Sequence, residues 1–107
     1  MPRHLMGEFE HLILLAILRL DDNAYGVSII RELQEGTGRE VSQAAAYLTL
    51  RRLDEKGWVR GRAGETTSQR GGRAKKYYTV TEVGLDKLRE ARANLLHMWS
   101  GLAKDLK

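Results

Sequence analysis

The chain has 107 residues, 18 Lys and Arg against 14 Asp and Glu, a formal charge of +4, and 42% hydrophobic with 30% charged residues. That is one domain with a modest core, for which oligomerisation is a ready source of extra stability. The absence of cysteine excludes a disulfide scaffold, a thiolate zinc site and a cysteine nucleophile.

No apolar run approaches a membrane span, and the start, Met1-Pro2-Arg3-His4-Leu5, lacks the apolar core of a signal peptide. A cytoplasmic protein without a membrane partner is expected. Residues 9–20, FEHLILLAILRL, are nearly all apolar and predict a helix buried over most of its circumference. Glu8 and Glu10 suit its positive end, and Asp21-Asp22-Asn23 reads as a turn. Residues 25–35 predict a second helix, with Val27, Ile30 and Leu33, or Ile29 and Leu33, on its inner face. Gly36-Thr37-Gly38 ends it with a glycine C-cap.

Ser42 caps a third helix that runs to about Lys56, and Gly57 stops it. Ala46, Leu50 and Leu53 share its inner face; Gln43, Ala44, Tyr47, Leu48 and Arg51 lie opposite. Alanines at 44–46 keep the first turn slim enough for close approach to another surface. Two helices joined by a short glycine-containing turn form a helix-turn-helix. Residues 58–63 and 74–80 read as strands, with Tyr and Val enriched in the second. The polar segment between them makes a β-hairpin with a long tip, a wing.

Thr81 caps a last helix from Glu82 to about Leu106. Leu85, Leu88, Arg92, Leu95, Trp99, Leu102 and Leu106 are spaced 3, 4, 3, 4, 3, 4, a heptad seam broken only by Arg92. A helix of about 25 residues would extend roughly 37 Å, more than a domain this small covers, so the seam calls for a second copy. The expected architecture is mainly α with a small β-hairpin. A winged helix-turn-helix domain occupies residues 1–81, and a C-terminal dimerisation helix occupies 82–107.

Charge follows this plan. Residues 51–76 hold nine basic residues against three acidic ones, +6; the other nine basic and eleven acidic residues leave −2. A basic block of this kind is the footprint of a polyanion partner. His4, His11 and His97 have no metal-ligand spacing, and no nucleophile triad or phosphate-binding glycine loop is present. Neither an enzyme nor a cofactor is expected.

These residues resemble the PadR family of winged-helix transcriptional regulators over nearly the whole chain. Gly7-Glu8-Phe9-Glu10 with the following Leu-Ile-Leu run is similar to the family's first helix. Ala24-Tyr25-Gly26-Val27 resembles its A-Y-G motif, and Val41 to Gly57 its recognition helix. Arg70-Gly71-Gly72-Arg73-Ala74-Lys75-Lys76-Tyr77-Tyr78 resembles its wing, and Thr79 to Gly84 the approach to its last helix. Ala44 and Ala46 depart from the glycine and valine of many members. The single C-terminal helix resembles the short subgroup.

The resemblance implies a homodimeric repressor of double-stranded DNA, often released by a small molecule. On this reading Ser42, Gln43, Ala44, Tyr47 and Thr49 meet the major groove, with Gln43 suited to bonding adenine. Arg51 and Arg52 hold phosphates; Arg70, Arg73, Lys75 and Lys76 hold flanking backbone, and Gly71-Gly72 permits close approach. Some relatives bind flat aromatic effectors between the C-terminal helices, which nominates Leu95, Met98 and Trp99. Trp58 and one of Tyr77 and Tyr78 are expected in the core. The alternative function is a protein-interaction module whose basic wing meets an acidic protein.

Overall fold

The computed structural model describes residues 6–64 and 75–102. Helix α1 spans Glu8–Leu20, a 3₁₀ turn Asp21–Asn23, α2 Gly26–Thr37, α3 Gln43–Glu55, β1 Val59–Ala63, β2 Lys76–Val80 and α4 Glu82–Trp99. This is the expected helix-turn-helix followed by a hairpin. Among the described residues no helix is long and apolar enough to cross a membrane.

Helix α1 begins at Gly7, whose N–H donates to Glu10 Oε1 at 3.0 Å. Ile13, Leu14, Ala16 and Ile17 are buried, but Leu15 and Leu18 are 40% and 45% exposed. The expectation of a helix buried almost all round therefore fails along one stripe, because the other elements pack against only one side of it. Asp21 then turns the chain at φ 54°, ψ −117°. A side chain fits that conformation poorly and glycine fits it freely. Asp21→Gly should raise the melting temperature by about 4–8 °C, from about 1 kcal/mol of strain relieved, as read by thermal denaturation.

At the start of α2, Ser28 Oγ accepts from the Tyr25 N–H and donates to the Asn23 carbonyl, closing a tight turn. Gly38 ends the helix at φ 70°, its N–H donating to the Gln34 carbonyl. Ile29 and Leu33 are buried and Ile30 half-buried, whereas Val27, expected inside, is 48% exposed. Ser42 caps α3, its Oγ accepting from the Ala45 N–H at 3.2 Å. Ala46, Leu50 and Leu53 point into the core, as their spacing requires. Past Lys56, the Trp58 N–H donates to the Leu53 carbonyl and the Gly57 N–H to that of Asp54. That bond pair is a Schellman cap, with Gly57 at φ 78°.

The hairpin is antiparallel, pairing Val59 with Val80 and Ala63 with Lys76. Val59, Tyr78 and Val80 face inward, so Tyr78 is the core tyrosine, and Trp58 is buried with them. A bridge between Tyr25 and Tyr77, and the Tyr78 N–H donating to the Ala24 carbonyl at 2.8 Å, tie β2 to the start of α2. Between α1 and the end of α3, Lys56 Nζ meets Glu10 Oε2 at 2.5 Å and lies 4.5 Å from the Trp58 ring centre.

Thr81 caps α4 by accepting from the Gly84 N–H and anchors it by donating to the Gly57 carbonyl at 2.6 Å. Leu88 is buried and Leu85 packs against the core, so these two positions of the expected seam face the chain's own interior. The helix stops at Trp99 and not near Leu106. Ser100 is extended (φ −66°, ψ 145°) and Gly101 follows at φ 78°, a helix-ending pair. Leu102 lies beyond the helix, and Leu106 is outside the described residues.

Candidate nucleic-acid interface

Burying Ala46, Leu50 and Leu53 turns the other side of α3 outward. Ser42, Gln43, Ala44, Tyr47, Leu48, Arg51 and Arg52 are all exposed; Thr49 is half-buried, on the margin of the surface. The first turn of α3 holds no acidic residue, so the positive end of its dipole is unopposed there. Ser42 accepts a hydrogen bond from the Ala45 N–H, which leaves its own O–H free to donate outward. Tyr47 is 42% exposed, and the hydroxyl end of its ring rests against the Cα of Gly26.

Three of the hairpin's cations lie over tyrosine rings. Lys75 Nζ lies 4.3 Å from the Tyr25 ring centre, Arg62 Cζ 5.3 Å from that of Tyr77, and Lys76 Nζ 5.8 Å from that of Tyr78. Tyr25 and Tyr77 meet ring to ring at 5.4 Å. Lys76 is also 3.9 Å from Asp54 Oδ2, so part of its charge is already answered within the chain. Lys56, counted in the basic block, is turned inward to Glu10. Burial, then the Asp54 carboxylate and the Tyr47 phenol, push the Tyr78 hydroxyl above its ordinary pKa, so it stays protonated. Arg70, Gly71, Gly72 and Arg73 lie outside the described residues.

The structure therefore brings the α3 residues and Lys75 and Lys76 into one arrangement with α2. Sequence reasoning missed Arg60 and Arg62, although their two-residue spacing on a strand already put them on one outward face. Tyr25 and Gly26 stood out only through the A-Y-G resemblance and not as supports, because their partners Tyr77 and Tyr47 are distant in sequence.

A second surface lies elsewhere. From Arg92 to Trp99 every residue of α4 is exposed, including Leu95, Leu96, Met98 and Trp99, and Leu102 follows at 48%. A groove of about 580 Å³ runs between α1 and α4, lined by His11, Leu12, Leu15, Ala91, Asn94 and Leu95 among others. Of the residues nominated for an effector, Leu95 lines this groove, and Met98 and Trp99 do not. Among the described residues no cluster of His, Asp and Glu is placed to hold a metal ion.

A crystal structure of a PadR family transcriptional regulator from Eggerthella lenta DSM 2243 superposes with a TM-score of 0.70 at 27% identity, over 94% of this chain and 87% of that one. RosR from H. salinarum is similar at TM-score 0.68 and 26% identity, covering 92% and 81%. A PadR family regulator from Clostridium difficile R20291, at TM-score 0.69 and 23% identity over 92% and 99%, supports the fold alone. Comparison with curated protein sequences finds no match. The profile of the transcriptional regulator PadR-like family matches residues 14–90, from the core of α1 into α4. The helix-turn-helix, the hairpin and this match agree: the chain belongs to the PadR-like family, whose members are transcription regulators and not enzymes.

Proposed function

We propose that the protein is a cytoplasmic homodimer that binds double-stranded DNA sequence-specifically and represses transcription. The observation that carries this reading is the outward face of α3, where a slim turn, an unopposed helix N-terminus, Gln43, Tyr47 and two arginines stand together. Residues 1–81 read the duplex, and 82–107 supply the dimer contact. In a dimer the basic block is doubled, matching two half-sites on one face of a duplex. Ser42, Gln43, Ala44, Tyr47 and Thr49 meet the major groove, Arg51 and Arg52 hold phosphates, and Arg60, Arg62, Lys75 and Lys76 with Arg70 and Arg73 hold the flanking backbone.

The test is a gel shift on the protein's own upstream region across a salt series. Binding should fall steeply and linearly on a log–log plot and exceed binding to non-specific competitor. Flat salt dependence and no sequence preference would favour the protein-interaction module instead. Gln43→Ala should cost about 1–3 kcal/mol on the preferred site and relax the preference at one base pair. Arg51→Ala should instead weaken all sequences alike and lower the salt slope by about 1. A competition series over single-base site variants distinguishes the two.

An aromatic effector is proposed between the α4 helices of the dimer, against Leu95, Met98 and Trp99. Quenching of tryptophan fluorescence by planar aromatic compounds tests it. A flat response across a broad panel would leave Trp99 with packing alone.

A further inference from the structure

We propose that Gly26 is a positioning residue for DNA binding: it is the seat that holds Tyr47 at its place on the outward face of α3. This rests on the reading that α3 meets DNA. Gly26 is the first residue of α2 and is buried. A methyl group at its Cα would stand 2.6 Å from Tyr47 Cζ, and closer still to Oη and Cε1. Only hydrogen fits between this backbone and the phenol.

The backbone at Gly26 does not itself call for glycine, since its φ is not among the positive ones. Alanine would be the better helix former there. The reason for glycine is therefore space, and the space is filled by Tyr47. The obstacle is also of a particular kind. It is the far end of a half-exposed side chain, which can swing outward, and not a piece of backbone. A methyl at residue 26 should thus move the phenol and leave the fold standing.

The seat has support on its other side. Tyr25, the residue before it, is bridged to Tyr77 of β2 and carries Lys75 over its ring. One dipeptide at the start of α2 consequently sets the place of the α3 phenol and of a wing cation together. A ring already wedged in this way loses no rotamer freedom when DNA arrives, and its hydroxyl meets the duplex at a fixed point.

The experiment measures affinity for the preferred duplex and thermal stability in wild type, Gly26→Ala, Tyr47→Ala and the double variant. Gly26→Ala should bind on the order of tenfold more weakly, the weight of a hydrogen bond to a charged group, with its melting temperature nearly unchanged. Tyr47→Ala should lose about as much, and adding Gly26→Ala to it should cost nothing more, as expected when one residue acts through the other. In the free protein, an NMR cross-peak should join the Gly26 Hα protons to the Tyr47 ring. Wild-type affinity in Gly26→Ala, additive losses in the double variant, or a missing cross-peak would each overturn the inference alone. So would a collapse in stability that Tyr47→Ala does not restore, because the backbone would then need the glycine. If wild type itself binds no duplex, the DNA reading fails first.

Discussion

Gly84→Ala should destabilise the fold by about 3 kcal/mol, lowering the melting temperature by roughly 12–24 °C, an overpacking cost at the upper end of the usual range. Gly84 is buried in the first turn of α4. A methyl there would lie 2.9 Å from Val80 Cγ1 and 3.0 Å from the Trp58 carbonyl carbon, with the Trp58 oxygen nearer still. That carbonyl cannot retreat. Its oxygen accepts the Thr81 N–H at 3.0 Å, and the Trp58 N–H is held by the Leu53 carbonyl in the cap of α3. The helix propensity that alanine brings, at most about 1 kcal/mol, is smaller than the clash. Gly36→Ala is the matched control: it is the same substitution in α2, with open space around it. It should stabilise by about 0.5–1 kcal/mol. Differential scanning calorimetry on both reads the sign directly, and an unchanged melting temperature in Gly84→Ala would refute the packing argument.

The double substitution Leu95→Asp/Trp99→Asp should convert the proposed dimer to a folded monomer and weaken operator binding by about 10²–10⁴-fold, the range that linking two binding modules supplies. Leu95, Leu96, Met98, Trp99 and Leu102 are 48–73% exposed, and Leu15 and Leu18 add an apolar stripe on α1. Each such side chain, once fully buried, contributes about 1.5–3 kcal/mol, so an aspartate pair at the centre removes much of the driving force. The fold should survive, because Leu88, Leu85 and Gly84 anchor α4 in the chain's own core upstream of the substitutions. Sedimentation should show one chain where wild type shows two, with helical circular dichroism largely retained. A variant that remains two chains would place the dimer contact elsewhere.

Local rules determine much of this protein. Ser42 and Thr81 are short hydroxyl side chains, and each caps the helix that follows by satisfying a backbone N–H three residues on. Gly38 and Gly57 end helices because only glycine turns left-handed without penalty. The spacing of Ala46, Leu50 and Leu53 committed one face of α3 to the core, and so the opposite face to the surface. The outward placement of Gln43, Tyr47 and Arg51 follows from that spacing alone.

Other features depended on parts of the chain far apart in sequence. The heptad spacing cannot distinguish a leucine that meets a partner from one that meets its own domain; packing on α1 and the hairpin takes Leu88 and Leu85 inside and leaves Leu95 and Trp99 out. Apolar character along α1 says how much surface favours burial, whereas the number of neighbouring elements decides that Leu15 and Leu18 stay exposed. A lysine in a basic run looks like any other until folding brings Glu10 to Lys56 and Asp54 to Lys76. The reason for glycine at 26 and 84 is the same kind of fact, since the atoms that exclude a methyl belong to Tyr47 and Trp58, residues 21 and 26 positions away. Caps, and the face of α3 that its apolar spacing commits to the core, answer to neighbours within a turn or two and are legible in one dimension. The allocation of charge, space and apolar surface is a competition among distant segments, and only the tertiary structure resolves it.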